Sequence, residues 1–503
     1  MDHRGSRPTA VAPPAAAAVA EKKTEGLLDH FLELWESGPS ASRRQRVAER
    51  AQTLALSGLL CLGRRTVTGL LSTCGLQFQD WSAAYRLFSR GRLDSDQLFG
   101  GVRQAVLREL PPTAPLCVAL DDSLLPKTGT KIHGVAWRRD PLGPPFQVNL
   151  IRAQRVLQFS AALTRSQDPA TLRLVPIDFT HAPTPPKPRK NAAESVWQQY
   201  RKDCRQANLC RQAVLRWQAL EKSLQPPQGQ PPRPLRLLVD GRFTNRQLLK
   251  SLSAATTVIG RIRKDAKLYH PAAPGNSGGR RKRYGELAPT PEQLRQDDSV
   301  PWQSVEVFAA GARHPCRVKT LSPLLWRPAG YQRPLRLVVI APLHYRPRQG
   351  SRLLYRQPAF LICSDPQLEL TQIVQNYIWR WDIEVNFREE KTLLGVGQAQ
   401  VRHAASTQAV PALQVASYAL LLLAAWRAGG GPSPTALPPP KWSPSQKPLR
   451  TSTQRLLQQL RAEVWGRGLG LDRFSGFSSP PPAAAKPEKL LSSLPSAVCY
   501  CTS

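Results

Sequence analysis

The sequence has few acidic residues. It contains 35 Asp and Glu against 70 Lys and Arg, which gives a net charge of +35. Such an excess is untypical of soluble metabolic enzymes and favours a polyanionic partner, because cationic side chains gain free energy when they displace the counterions of a nucleic acid. A coding bias towards arginine combined with basic tails is the alternative explanation, and composition leaves it open.

Zinc motifs, signal peptides and membrane spans are also lacking. The nine cysteines form no CxxC pair, so we expect small buried cysteines in a reducing compartment. The Ala/Pro-rich start has no charged region followed by a Leu-rich segment, which argues against a signal peptide. The longest apolar run, YALLLLAAW at 418–426, is about half as long as a membrane span and predicts a buried helix.

The chain divides into six segments by composition and periodicity. Residues 1–24 are rich in Ala and Pro and predict a disordered leader, and residues 25–112 predict a helical N-terminal region. Strands and helices alternate over 113–255, strands dominate 256–366, and helices return over 367–428. Residues 429–503 form a Pro-rich, mostly irregular tail with a helical island at 453–464.

Within the helical region, RRTVTGLL at 64–71 fits either part of a DNA-binding helix-turn-helix or a plain packing helix, because so short a fragment specifies little.

Two apolar strands end in aspartates. LCVAL at 116–120 runs into Asp121 and Asp122, and LRLLV at 235–239 runs into Asp240. Carboxylates at neighbouring strand ends are held rigidly and can converge on Mg²⁺, which prefers hard oxygen ligands. An aspartate that merely ends a strand in a turn is the alternative for each of them.

A helical stripe is the more specific pattern. In YIWRWDIEVNFREEK, the residues Tyr377, Arg380, Glu384 and Lys391 are spaced so that an α-helix places them on one face, within about 40°. An ion pair one turn apart would explain Arg and Glu alone. It leaves the second cation and the tyrosine unexplained, whereas a metal-binding carboxylate flanked by phosphate-binding groups accounts for all four.

The order Asp, Asp, Glu, with the glutamate on a Y-x2-R-x3-E-x6-K helix, resembles the DDE transposases of bacterial insertion sequences, in the branch with the Tyr-Arg-Glu-Lys motif. ALDDS at 119–123, VDGRFTN at 239–245 and LICSDPQLELTQIVQNY at 361–377 agree with this resemblance, which covers about 50–428.

The resemblance implies an α/β, ribonuclease-H-like core with a mixed sheet and flanking helices. Residues 113–255 and 367–428 would form the core, and 256–366 a β-rich insertion. In the family the first catalytic Asp directly precedes Ser or Thr, so the role is carried to Asp122, with Asp121 behind it. Asp122, Asp240 and Glu384 would be both the catalytic residues and the metal ligands.

The resemblance also implies an activity and its partners. Mg²⁺, or Mn²⁺ as a substitute, would serve as cofactor. The partners would be the terminal inverted repeats and the target DNA, bound by a homodimer in the bacterial cytoplasm at the nucleoid, without a membrane. Water would attack in cleavage, and the freed 3′-hydroxyl would attack in joining. A catalytically inactive DNA-binding relative and a nuclease that never joins DNA are the competing hypotheses.

The phosphate-binding residues would be Tyr377, Arg380 and Lys391. Lys127, in LLPKTG, is expected to join them, although it could equally end a hairpin. Trp379 and Trp381 fit core packing or stacking on an unpaired base. The basic run at 280–283 fits a DNA contact or a solvated surface.

Overall fold

The computed structural model describes most of the chain: residues 26–38, 45–140, 143–144, 146–226, 229–272, 282–345, 350, 352–429 and 450–468. The leader expected to be disordered at 1–24, the tail after 429 apart from 450–468, and the first two residues of the basic run at 280–283 lie outside these residues.

Five helices form the described part of the N-terminal region, as the apolar periodicity predicts. They are α1 (Leu27–Ser37), α2 (Gln45–Leu60), α3 (Val67–Thr73), α4 (Ser82–Ser89) and α5 (Ser95–Arg108). Side chains start two of them: Thr66 accepts a hydrogen bond from the Gly69 N–H, and Asp94 accepts from the Asp96 N–H. Arg65, just before α3, is buried and donates its Nε to the Gly58 carbonyl at 3.0 Å. This arginine therefore contributes to packing, and a DNA-binding role for 64–71 stays a prediction.

A mixed sheet forms the core. Its elements are β1 (Leu116–Pro126), β2 (Ala136–Arg139), β3 (Leu150–Leu163), β4 (Arg173–His181), α6 (Glu194–Gln206), α7 (Leu209–Ser223), β5 (Leu235–Val239), α8 (Arg246–Ser251) and β6 (Thr256–Arg261). The order across the sheet is β4-β3-β1-β5-β6, with β3 antiparallel to its neighbours and β1, β5 and β6 parallel. Apolar layers cover both faces. This mixed α/β arrangement confirms the predicted ribonuclease-H-like fold class with a helical N-terminal region.

The strand-rich stretch extends the same sheet. Its elements are β7 (Leu268–Pro271), β8 (Tyr284–Leu287), α9 (Pro291–Gln296), β9 (Gln303–Ala309), β10 (Ala312–Trp326), β11 (Gly330–Ile340), β12 (Leu343–Tyr345), β13 (Leu354–Arg356) and β14 (Ala359–Cys363). Strand β6 pairs with β5 on one side and β14 on the other, so hydrogen bonds run from the core into this stretch without a gap. The limits of a separate insertion stay a prediction.

The C-terminal helices differ from the sequence prediction at one point. The stripe from Tyr377 to Lys391 predicts one continuous helix, but α10 (Leu370–Trp379) and α11 (Asp382–Thr392) are separated by two residues, Arg380 and Trp381. Helix α12 (Ala404–Arg427) follows, and the N-terminal helices pack around it. Among the described residues it alone is long and apolar enough to cross a membrane, and its most apolar stretch is wholly buried.

The last helix among the described residues, α13 (Thr453–Gly468), contacts two distant parts of the chain. Its Glu463 carboxylate accepts hydrogen bonds from the Leu27 and Leu28 N–H groups at the start of α1. Arg450, just before this helix, pairs with Asp382 at 2.6 Å, and the hydroxyl of Thr453, the first residue of the helix, donates to Glu389 at 2.6 Å. Both acceptors lie on α11, so the C-terminal segment braces that helix.

Candidate active site

The pleat of β1 and β5 determines which aspartates face α11. In the parallel register Leu120 lies opposite Val239, and the next residues along the two strands are Asp121 and Asp240. Side chains alternate between the faces of a strand, so these two share the face of Ala119 and Leu238. That face packs under α10 and α11. Asp121, Asp240 and Glu384 consequently line one cleft of about 1200 Å³.

Asp122, to which the resemblance assigns the first catalytic role, lies on the opposite face of β1. Its carboxylate accepts two hydrogen bonds from Nη1 of Arg242, at 2.7 and 3.0 Å, and lies 3.3 Å from Nε of Arg155. It is not among the residues that line the cleft. The resemblance selected Asp122 because Ser123 follows it, but the two-residue period of the strand directs Asp121 towards the cleft instead.

A tight turn after β5 holds Asp240. One carboxylate oxygen accepts hydrogen bonds from the N–H groups of Arg242 and Phe243, at 2.9 and 3.1 Å, and the Thr244 hydroxyl donates to the Asp240 carbonyl at 2.7 Å. Gly260 on β6 makes room for this turn, because a Cβ there would lie 2.2 Å from the Thr244 hydroxyl. The turn leaves the second carboxylate oxygen of Asp240 available to the cleft.

Asp121 is electrostatically strained. Burial, and then repulsion from Asp240, raise its pKa to about 7, against the opposing pull of Arg380. Its Oδ1 accepts a hydrogen bond from the Asp122 N–H at 2.8 Å, while Oδ2 faces Arg380. Two carboxylates that repel each other across a half-buried cleft bind a cation favourably.

Arg380 occupies the space between two of the carboxylates. Its Nη1 lies 3.3 Å from Oδ2 of Asp121, and its Nη2 lies 3.1 Å from Oε1 of Glu384. The Arg380 side chain is only 8% exposed, whereas Glu384 is 39% exposed. Arg380 is the first of the two residues between α10 and α11. Its guanidinium connects Glu384 on α11 to Asp121 on β1.

The other two residues of the stripe, Tyr377 and Lys391, lie in different places. Tyr377 lines the cleft with its ring centroid 5.6 Å from the Arg380 guanidinium carbon, and burial raises the pKa of its hydroxyl. Lys391 instead donates to the Ser123 hydroxyl at 2.6 Å, and burial lowers the pKa of its ammonium group. Lys391 thus ties α11 to β1, and three of the four residues share the cleft.

Lys127 does not face the cleft. Its ammonium group is buried and donates to the carbonyls of Gly397 and Ala399, at 2.6 and 2.8 Å. Burial lowers its pKa to about 8. The predicted phosphate contact therefore does not fit this arrangement, in which Lys127 anchors the loop between α11 and α12.

The donor set fits a divalent cation in chemistry. Carboxylate oxygens from three separate elements line the cleft, and such hard ligands suit Mg²⁺ or Mn²⁺. In the part of the chain that the structure describes, no three acidic, histidine or cysteine side chains are close enough to hold an ion together. Arg380 lies between Asp121 and Glu384, so closing the triad around an ion requires this guanidinium to withdraw.

A basic and aromatic wall, which the sequence reasoning missed, faces the carboxylates. Arg261, Arg263 and Lys264 project from the end of β6, and Trp326 and Trp381 also line the cleft. The signal was the run RIRK directly after an apolar strand. Trp381 is 59% exposed, while its neighbour Trp379 packs against the core. Of these two tryptophans, only Trp381 is therefore accessible for stacking on a base.

Comparison with known proteins identifies one family. The family described as "DDE superfamily endonuclease" matches residues 38–327, which is more than half of the 503 residues. The match includes both strand-end aspartate motifs and ends before Glu384. No curated protein matches the chain.

Proposed function

The chain belongs to the DDE superfamily of endonucleases, which act on DNA with divalent metal ions, and we propose that it is a transposase. In this proposal it binds the ends of a mobile element, cleaves the DNA there and joins the freed 3′ ends to target DNA. The terminal inverted repeats and the target are its substrates, and two copies of the chain pair two ends. It works on DNA in the cytoplasm, at the nucleoid.

One observation carries the proposal: Asp121, Asp240 and Glu384, which are far apart in sequence, line the same cleft. Their order along the chain is that of the Asp, Asp, Glu triad. We therefore assign the catalytic and metal-binding roles to these three residues, with Asp121 in place of Asp122.

Mg²⁺ is the proposed cofactor, and Mn²⁺ its substitute. When bound, such ions activate the attacking hydroxyl and stabilise the leaving oxygen. Asp240 enters the site with one oxygen already fixed by two N–H groups, so its free oxygen is oriented before an ion arrives. Burial, and then the charge of Asp240, raise the pKa of Asp121, so a cation bound beside it would favour its ionised form.

The cations of the cleft position the DNA. The Arg380 guanidinium lies beside two of the carboxylates and matches the fork geometry of a phosphate group, so it would bind next to the scissile bond. Tyr377 lines the same cleft. Arg261, Arg263 and Lys264 face them and would follow the sugar-phosphate backbone across the cleft.

The test is cleavage of a duplex containing the DNA that flanks the gene. We expect Mg²⁺- or Mn²⁺-dependent nicking at defined positions by the wild-type protein. Asp121→Asn and Asp240→Ala should each abolish detectable cleavage while DNA binding is retained. Glu292→Gln is the matched control, because Glu292 lines the same cleft but pairs with Arg295, and it should cut normally.

Two other outcomes would identify the competing functions. DNA binding without cleavage in either metal would indicate an inactive, co-opted DNA-binding protein. Cleavage without joining, when pre-cut ends are supplied with a target plasmid, would indicate a nuclease of the same fold. Cleavage that survives Asp240→Ala would overturn the site itself.

A further inference from the structure

Three arginines surround Asp122 on the face of the sheet away from the carboxylate cleft; we call Arg138, Arg155 and Arg242 the arginine cluster. In the β1–β3 register Asp122 lies opposite Leu157, which places Arg155 two residues along on the same face. The β2–β3 register, with Ala136 opposite Ala153, brings Arg138 to that face as well.

The third member comes from the active-site turn. Arg242 follows Asp240 by two residues, and its backbone N–H donates to the Asp240 carboxylate. Its side chain reaches the other way, to Asp122, at 2.7 Å. In this turn the backbone N–H of Arg242 holds the Asp240 carboxylate at the cleft, and the Arg242 side chain belongs to the arginine cluster.

The cluster holds more positive than negative charge. Both Arg155 and Arg242 pair with the single carboxylate of Asp122. Burial, and then repulsion from Arg155, lower the pKa of Arg138 to about 10, with Asp122 opposing the shift. The buried Nε of Arg138 has no hydrogen-bond partner among the described residues. Guanidiniums that repel one another and keep a donor unpaired favour the arrival of an anion.

The position of the arginine cluster indicates which anion it would bind. The Arg242 side chain is half-exposed and leaves the turn that lines the cleft, so the cluster lies next to whatever occupies that cleft. Guanidinium forks match phosphate oxygens in geometry, and each phosphodiester of a DNA strand presents two such oxygens. A strand that passes the cleft carboxylates would meet Arg242 first, with Arg155 and Arg138 beyond it.

We propose that Arg138, Arg155 and Arg242 form a phosphate-binding subsite for a DNA strand that runs past the carboxylate cleft, with Asp122 as the positioning residue that holds the guanidiniums. The proposal rests on the proposed function for the identity of the strand. It gives the two adjacent aspartates different roles: Asp121 faces the metal site, and Asp122 positions the arginines that bind the phosphates of the substrate.

The first test is the salt dependence of DNA binding, measured by fluorescence anisotropy of a labelled duplex in EDTA. Arg242→Gln and Arg155→Gln should each reduce the slope of log affinity against log salt by about 0.9, the change expected for one lost phosphate contact. Arg313→Gln removes the same charge from β10, where Arg313 pairs with Glu306 on the surface, and should leave the slope unchanged. An unchanged slope in Arg242→Gln would overturn the subsite.

The second test uses the sign of the effect of Asp122→Asn. This substitution makes the protein more positive, so general electrostatics predict tighter DNA binding. A positioning role predicts the opposite, a several-fold weaker affinity per folded molecule, with Tb³⁺ binding at the cleft retained. Tighter DNA binding, or loss of Tb³⁺ binding equal to that in Asp121→Asn, would refute the assignment. Should Asp122→Asn fail to fold, the Arg242→Gln slope alone decides.

Failure of this subsite and failure of the proposed function give different results. If the wild-type protein cuts DNA but the cluster variants keep its salt slope, only the subsite is wrong. If the slopes fall as expected but no DNA is cut, the subsite stands and the transposase proposal fails.

Discussion

Replacing each of the two adjacent aspartates by asparagine should change stability in opposite directions. Burial and the charge of Asp240 raise the pKa of Asp121 from 3.8 to about 7. At 1.36 kcal/mol for each pKa unit, ionised Asp121 costs the folded, metal-free protein about 4 kcal/mol at pH 8. Asparagine resembles the protonated acid in shape, so Asp121→Asn should recover most of that free energy.

The pH dependence has a definite sign. A carboxyl group whose pKa is higher in the folded than in the unfolded state weakens folding progressively as pH rises from 3.8 to about 7. The advantage of Asp121→Asn over wild type should therefore be largest at pH 8, fall to about 2 kcal/mol at pH 5 and vanish near pH 3.

Asp122 supplies the matched comparison. Its carboxylate is largely buried and pairs with Arg242 and Arg155. Asp122→Asn breaks both ion pairs, and it should destabilise the protein by about 1–3 kcal/mol, the usual cost of losing hydrogen bonds to a charged group. Two substitutions of the same kind, one residue apart, thus have opposite expected signs.

The assay is thermal unfolding in EDTA at pH 5 and pH 8. For a chain of this size about 1 kcal/mol shifts the melting temperature by about 1 °C, so Asp121→Asn should melt about 4 °C above wild type at pH 8. Mg²⁺ should narrow that gap, because only the wild-type site gains binding energy from the ion. Equal destabilisation by both variants at pH 8 would refute the assignment of faces.

Three further outcomes are expected. Arg380→Ala should weaken DNA binding, measured by anisotropy, more than Tb³⁺ binding, and an earlier loss of metal affinity would contradict its phosphate role. Gly260→Ala should cost about 1–3 kcal/mol by overpacking against Thr244 and lower cleavage, as urea unfolding and gel assays will show; normal values for both would contradict the close approach. Glu463→Gln should lower stability by about 1 kcal/mol in thermal unfolding, because it weakens the bonds to the first N–H groups of α1, including that of Leu28; an unchanged melting temperature would argue against that role.

The strand that ends at Asp240 was predictable from local sequence. The run LRLLV is short, apolar and closed by Asp-Gly, and β5 has the predicted bounds, Leu235–Val239. The region before β1 was equally accessible, because the helical period of its apolar residues is strong. Patterns of this kind depend on neighbouring residues only.

Which of Asp121 and Asp122 faces the cleft could not be predicted from local sequence. Both faces of β1 are covered by apolar layers, so its residues lack the alternation of apolar and polar side chains that would identify the face of each aspartate. The decisive fact is which face α11 covers, and that depends on contacts between residues far apart in sequence.

The partners of two lysines could not be predicted from the sequence for a related reason. Lys127 and Lys391 stand in sequence contexts that suit a DNA contact, yet their partners are the Gly397 carbonyl and the Ser123 hydroxyl, more than 260 residues away in the chain. The joining of the strand-rich stretch to the core through β6 and β14 likewise depends on long-range pairing. A single sequence carries little signal for such pairs.

The contacts of Arg450 and Thr453 with α11 affect the order in which parts of the protein are stabilised during its synthesis. Helix α11 leaves the ribosome well before Arg450 and Thr453, which hold Asp382 and Glu389. A nascent chain thus carries the third carboxylate on a helix without its final support, and domains fold as they emerge from the N-terminus onward. Helix α11 therefore gains its contacts to Arg450 and Thr453 only after α13 has begun to be translated, and α13 also packs against the start of α1.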